Sequence, residues 1–480
     1  MAVLAIDQGT SATKAMVVGD GGDVLGFAEV GVNPRYLGDG KVEQDPEELW
    51  NSVVVAGRQA LEGSPQPVTA VGFANQGETV LAWDPSDGTV RSTALSWQDR
   101  RGQVICRELA QHAERLTEVT GLPLDPYFAA PKMTWLAREV DAPDAAITTS
   151  DAWLLWRMTG AFVTDAATAS RTMLLDLRSA QWSPEALEIF AVGDRPQPTV
   201  VDCAEPVGTT SAFGTATPLP VTGLAVDQQA ALFAERCFEP GEMKVTYGTG
   251  AFLLANLGPR PAISHTGLVT CVAWRVGDRL DYCLDGQVYS VGSTISWLER
   301  LGIIDEPADL DRLAQPDGSD GGSEAEAFVP ALAGLAAPYW RDDARGALTG
   351  LSLSTGKAEV VTAVLRSIAA SVARLAGAVR QDTAIAPATL RADGGLTRSR
   401  ALMQMQADLA QVPVEVYPSP HATALGVGAL ARLGAGHVET LEGAVPPWTP
   451  SAVYEPTISG RQAAAVLDRF DEVVERVALT

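Results

Sequence analysis

The sequence predicts an α/β protein of two domains with a cleft between them, and three observations carry that expectation. The chain has 480 residues, more than one ordinary hydrophobic core organises. It opens on an apolar run, a Gly-Thr turn and a second apolar run, "VLAIDQGTSATKAMVV", and the same grammar returns in "MKVTYGTGAFLLANLG" at 243–258. Gly248-Thr249 follows Gly9-Thr10 by 239 residues (248 less 9), about half the chain, which points to duplication of one β-meander-plus-helices unit. The boundary is expected near residue 237, giving domains of 1–237 and 238–480.

From residue 3 to 32 the alternation of apolar runs with "DQGTS" and "GDGGD" reads as a three-strand antiparallel meander. Residues 46–62 follow as a helix, with Pro46 and Glu47 where a helix N-terminus favours them, and "AVGFANQ" at 70–76 reads as a short buried strand. In the second half, "GLVTCVAW" and "RLDYCLDG" are strand-like. Val361, Val364, Ile368, Val372, Leu375 and Val379 recur at helical spacing and predict a long buried helix. The strand-like "ATLRA" then meets Gly394-Gly395, after which Thr397 or Ser399 is placed to cap the next helix.

Bulk charge narrows the function. A net charge of −24 repels polyanions, so neither nucleic acid nor an anionic membrane is expected as a partner, whereas a small anion held by local donors is compatible. Five dispersed cysteines with no CxxC pair suit a reducing compartment, and the absence of a basic leader before Asp7 opposes an ordinary signal peptide; the cytoplasm is the expected location. The most continuous apolar stretch, 329–340, is short and broken by proline. No HExxH, GxSxG or Cys/His ligand cluster occurs around the four histidines, which opposes histidine-driven metal chemistry and a hydrolase triad.

Two phosphate-loop look-alikes fail on spacing. "GLSLSTGKA" at 350–358 has glycines six apart and Ala358 after the lysine, so it reads as a turn entering a helix. "GVGALA" at 426–431 has no clear strand before it and reads as a closely packed small-residue helix. What survives is the pair of glycine-and-hydroxyl hairpins, with Lys14 just beyond the first. Glycines let backbone N–H groups approach an anion and hydroxyls donate to it, so two such loops facing one another would clasp a polyphosphate. Asp7 ends a buried strand, where a carboxylate is costly unless it faces a cation or ordered water. Asp227 follows an apolar strand and precedes a helix, which suits either an N-cap or a general base for phosphoryl transfer.

Along nearly its whole length the chain resembles the FGGY carbohydrate kinases, and among them it is most similar to the glycerol kinases. The matching stretches include "IDQGTSATKA", "ANQGETVLAWD", "WQDRR", "GLPLDPYFAAPKMTWL", "ASRTMLLD", "GLAVDQQAALF", "TYGTGAF" and "DGGLTRSRALMQMQAD". The resemblance implies two ribonuclease-H-like domains of the actin and hexokinase type, closing on ATP, magnesium and a small polyol or sugar. It puts Asp7 near magnesium, with Asp227 as catalytic base and a second carboxylate near the metal. Thr10, Ser11 and Lys14 would face the β- and γ-phosphates. Gly248, Thr249, Gly250, Gly292, Gly394, Gly395 and Ser399 would lie on the nucleotide side. The substrate positions read Gly77, Glu78, Trp97, Tyr127, Asp227, Gln228 and Phe252. Where glycerol kinases have arginine before the glutamate this chain has Gly77, which removes a multidentate donor and is expected to open space for a larger polyol. Ser296 and Ser399 stand where that pattern has Gln and Asn. A xylulokinase-type substrate and a catalytically silent, nucleotide-gated binding protein are the alternative readings, and family members are often dimers or tetramers.

Overall fold

A computed structural model describes residues 1–314 and 326–478. The first domain is built on a six-stranded sheet ordered Gly208–Thr210, Leu219–Val226, Val68–Asn75, Ala2–Gln8, Ala12–Val18, Val24–Gly31. Ala2–Gln8 pairs antiparallel with Ala12–Val18, which pairs antiparallel with Val24–Gly31, as the meander pattern predicts. On its other side Ala2–Gln8 is parallel to Val68–Asn75, itself parallel to Leu219–Val226.

The second sheet repeats this plan. Met243–Tyr247 pairs antiparallel with Ala251–Gly258, which pairs antiparallel with Arg279–Val288; Met243–Tyr247 is also parallel to Leu390–Asp393, and that strand to Val414–Val416. The pairing senses match strand for strand. The extra strand Val269–Val276 lies outside Arg279–Val288, and Ala452–Tyr454 closes the opposite edge. The "GLVTCVAW" run is thus an addition to the repeated unit, and "RLDYCLDG" forms its third strand.

Helices cover the sheets. Pro46–Glu62 lies against the first hairpin, with Asp45 accepting the Glu47 N–H at its N-terminus. The long helix is Lys357–Thr383, and its apolar stripe is the centre of the second core. It is long and apolar enough to cross a membrane, yet most of that apolar window is buried inside the domain. "GVGALA" lies in helix Ala422–Gly434, which packs on the strands of the first sheet and on helix Asp227–Ala234. Its small residues permit that approach: a Cβ on Gly426 would lie 1.8 Å from the Ala230 carbonyl oxygen. The C-terminal part of the sequence therefore completes the first core. In both sheets the parallel strands end at one edge, the place where open α/β sheets position ligands.

Candidate functional site

Asp7, Asn75 and Asp227 come from the C-terminal ends of three adjacent parallel strands. Asp7 stands opposite Lys14 in the first hairpin and Ala74 in the parallel pair, while Val226 stands opposite Asn75. Beyond Asp7 the chain turns tightly, with the Gly9 N–H donating to the Ala12 carbonyl at 3.0 Å. Thr10 is held at both ends: its carbonyl accepts from Gln44 Nε2 at 2.9 Å, and its hydroxyl accepts from Trp97 Nε1 at 2.9 Å. Ser11 is exposed at the tip, with its carbonyl taking the Val32 N–H. Burial pushes the Asp7 carboxyl up to about 7, and the nearby Asp227 charge adds to this while Lys14 opposes it.

Asp227 is the first residue of helix Asp227–Ala234, and Val226 is the N-cap. Its carboxylate accepts the Gln228 backbone N–H at 2.8 Å and Gln228 Nε2 at 3.2 Å. Burial raises its pKa, with the Gln228 contact and the Lys244 and Arg171 charges pulling it down. Lys244 Nζ, itself fully buried, donates to Gln228 Oε1 and Thr246 Oγ1, both at 2.7 Å. Thus Gln228 is locked between base and lysine, with the amide nitrogen toward Asp227.

The second loop is an arrangement of close backbone approaches. The Gly248 N–H donates to the Gly250 carbonyl at 2.8 Å, and the Gly292 N–H, at the start of helix Gly292–Arg300, donates to the Gly248 carbonyl at 3.0 Å. A Cβ on Gly292 would lie 2.5 Å from the Gly248 carbonyl oxygen, and one on Gly250 would lie 2.6 Å from that of Val288. Gly394 has φ +95°, and a Cβ there would come within 2.4 Å of the Tyr247 carbonyl oxygen. A side chain is thus excluded at Gly250, Gly292 and Gly394, whereas a Cβ on Gly248 would lie in ordinary contact, 3.8 Å from the Gly250 carbonyl oxygen. Gly395 meets no such neighbour. Ser399 caps helix Arg400–Ala410 by accepting the Leu402 N–H and donates to Asp311 Oδ1 at 2.8 Å, so its hydroxyl is engaged within the protein. Ser296 is exposed.

Trp97, Tyr127 and Phe252 form one aromatic wall, with Trp97 to Tyr127 ring centroids 5.8 Å apart and Trp97 to Phe252 6.3 Å. Glu78, next to them, is buried and has φ +55°, an uncommon conformation for a non-glycine residue. Its carboxylate accepts from Arg171 Nε. Burial pushes Glu78 up to about 7, even though Arg171 and Lys132 oppose the shift.

Arg171 corrects the expectation drawn from Gly77. A Cβ on Gly77 would lie 3.6 Å from Arg171 Nε and 3.1 Å from Val226 Cγ2, so the space beside Gly77 holds a guanidinium. That guanidinium is 2% exposed, donates to Glu78, to Asp285 Oδ2 at 2.5 Å and to the Tyr127 hydroxyl at 3.2 Å, and so ties the first domain to strand Arg279–Val288 of the second. Lys132 is a second residue that motif reading passes over. Its buried Nζ donates to the Pro126, Tyr127 and Phe128 carbonyls at 3.0, 2.6 and 2.7 Å and fixes the turn that presents Tyr127; burial lowers it to about 8. Both residues lie inside quoted stretches, "ASRTMLLD" and "GLPLDPYFAAPKMTWL". Lys132 could have been suspected as a cation set among apolar residues, whereas Arg171, between Ser170 and Thr172, carries no such local signal.

Among the described residues no group of three or more His, Cys, Asp or Glu side chains forms a protein-only metal cage. Asp7 and Asp227, two mutually repelling carboxylates, suit a cation that takes its remaining ligands from water and phosphate oxygens. All five cysteines are free.

Comparison with known proteins agrees with this fold. Residues 2–234 match the N-terminal domain of the FGGY family of carbohydrate kinases and residues 243–435 match its C-terminal domain. The chain is 37% identical over 490 residues to a glycerol kinase of Ectopseudomonas mendocina, covering 99% of this chain and 98% of the relative, and 40% identical over 450 residues to one of Alkalilimnicola ehrlichii, covering 91% and 90%. The fold superposes on Plasmodium falciparum glycerol kinase with ADP with a TM-score of 0.89 at 27% identity, covering 99% and 98% of the two chains. A gluconate kinase from Lactobacillus acidophilus shares the fold with a TM-score of 0.88 at 21% identity, covering 100% and 98%. With both family domains matched in order and relatives aligned over nearly the whole chain, this protein belongs to the FGGY family of carbohydrate kinases.

Proposed function

We propose that the protein transfers the γ-phosphoryl group of ATP to a terminal hydroxyl of a small polyol. The observation that carries this reading is the Asp227 carboxylate, its pKa raised by burial and both its oxygens held by Gln228, at the end of a parallel strand beside Asp7. Asp227 takes the hydroxyl proton as the substrate oxygen bonds to the γ-phosphorus; the bond from that phosphorus to the β-γ bridging oxygen breaks and ADP leaves. Glu78, oriented by Arg171, accepts from substrate hydroxyls, while Trp97, Tyr127 and Phe252 exclude water from the carbon chain. Thr10, Ser11 and Lys14 serve the transferring phosphates and Gly248, Thr249, Gly250, Gly292, Gly394 and Gly395 the nucleotide.

Asp7 and Asp227 are the residues that would hold magnesium, which when bound neutralises charge on the β- and γ-phosphates. The cytoplasm, where ATP and magnesium are available, fits this reading, and residue 237 is kept as the point where the chain passes from the first domain to the second, with helix Ala422–Gly434 returning to pack on the first sheet. The deciding experiment is coupled ADP release with ATP and magnesium over glycerol, erythritol, threitol, pentitols, dihydroxyacetone and ketopentoses. Polyol-dependent ADP release supports the assignment; turnover confined to ketopentoses overturns it in favour of a sugar kinase, and no turnover with any acceptor overturns it outright.

A further inference from the structure

Strand Arg279–Val288 carries two polar side chains that the reaction above does not use. Asp285 and Gln287 are both fully buried, and residues two apart on a strand face the same way. That face is turned to the first domain: Asp285 grips Arg171, and Gln287 stands directly across from Phe252, whose ring contacts Trp97. Tyr289 continues the row, its ring 6.0 Å from that of Tyr127. The hydrogen bonds within the row leave acceptors over. Arg171 and Gln287 Nε2 both donate to Asp285 Oδ2, the latter at 3.0 Å, and among the described residues nothing donates to Asp285 Oδ1 or Gln287 Oε1. The Gln287 amide is oriented by its neighbour, because a carboxylate oxygen accepts only from the nitrogen end.

Two buried acceptors without donors, on the strand face that grips Arg171 and stands across from Phe252, are an incomplete site. The group that completes it must donate hydrogen bonds and carry no negative charge, since Asp285 is itself a carboxylate. Arg171 is already committed to Glu78, Asp285 and Tyr127, so it holds these acceptors in place and is a positioning residue.

From this we propose that Asp285 and Gln287 form a second hydroxyl-binding subsite next to the Glu78 pocket, which makes the preferred substrate a neutral polyol of more than three carbons. The proposal rests on the kinase reading, and glycerol, which fills only the first subsite, is the poorer acceptor.

The test compares kcat/KM for glycerol, erythritol, threitol, ribitol, xylitol and gluconate in wild type, Gln287→Leu and Gln287→Met, with thermal melting to verify folding. A four- or five-carbon polyol is expected to exceed glycerol by about 10-fold or more, and each variant to cut that ratio by about 10-fold, chiefly through KM for the longer acceptor. Gluconate is expected to be excluded. Glycerol as best acceptor overturns the proposal and leaves the kinase reading standing, as does a folded variant that lowers every polyol equally. Should no acceptor release ADP, calorimetric titration of the same polyols decides: tighter binding of the longer polyol, lost in Gln287→Met, supports the subsite, and equal or absent binding rejects it. If both variants melt early, Asp285→Asn, which keeps the side-chain shape, is judged by the same ratio.

Discussion

The two hairpins have the same strand pairing and opposite chemistry. In the first, the position two residues before the loop glycine is Asp7, cross-strand from Lys14; in the second it is Thr246, cross-strand from Phe252. After the fourth strand, the first sheet runs on into Gln76, Gly77 and Glu78, whereas the second runs into Gly394 and Gly395. A pair of opposite charges in one copy is thus a hydroxyl and an aromatic ring in the other. On the proposed function a duplicated sheet edge divides its tasks: the first copy presents Asp7 and Lys14 to the phosphoryl group, and the second presents glycine backbone to the nucleotide, with the carboxylate Asp393 buried behind it.

Removing the charge of the first copy is expected to be the most damaging change. Asp7→Ala should lower kcat by about 100-fold or more and weaken the response to magnesium, measured by titrating the ion in the ADP-release assay. Ordinary turnover and ordinary magnesium dependence would place the metal elsewhere.

Acidification is the next largest effect. Asp7 and Glu78 have pKa values raised by burial to about 7, so their ionised forms are lost as pH falls through that region. Log kcat/KM of the free enzyme should therefore fall below about 7 with a slope approaching about two per pH unit, one for each carboxylate. The stability of the ligand-free protein runs the other way. A carboxyl with a raised folded-state pKa binds protons that the unfolded chain has released, so these groups lower stability as pH rises from about 4 to about 7. Denaturant unfolding across that window tests the sign.

Lys244 links the halves, since it belongs to the second sheet and donates to Gln228 of the first. Lys244→Met should lower kcat by about 10-fold with the KM for ATP little changed, and should reduce stability by about 1–3 kcal/mol by leaving Gln228 Oε1 unpaired. The smallest effects sharpen the contrast within the second copy. Gly394→Ala should raise the KM for ATP several-fold, because its Cβ collides with the Tyr247 carbonyl, while Gly395→Ala should stay within about twofold.

The two-fold plan was legible because Gly-Thr turns between apolar runs are local signals with a fixed separation. The two look-alikes were resolved by the same means: 350–358 leads into helix Lys357–Thr383, and 426–431 lies in a helix. Trp97, Tyr127, Phe252 and Glu78 could be named from motif order, and they do assemble. Arg171 could not, because its partners Glu78 and Asp285 are 93 and 114 residues away and only the packing of strand Arg279–Val288 on the first domain joins them. For the same reason Gly77 read as a lost arginine and an open space, when a guanidinium from another segment lies beside it. Ser399 shows the converse: its sequence position suited the nucleotide, but helix capping and Asp311 engage its hydroxyl.

The central claim is that charge in the first copy performs the transfer while the second copy holds the nucleotide. The direct measurement is turnover and ATP affinity of Asp227→Asn, read on one preparation by ADP release and calorimetry. The account predicts ATP binding within a few-fold of wild type and turnover reduced by about 1,000-fold or more. Turnover near the wild-type rate, or nucleotide affinity lost together with turnover, would contradict it.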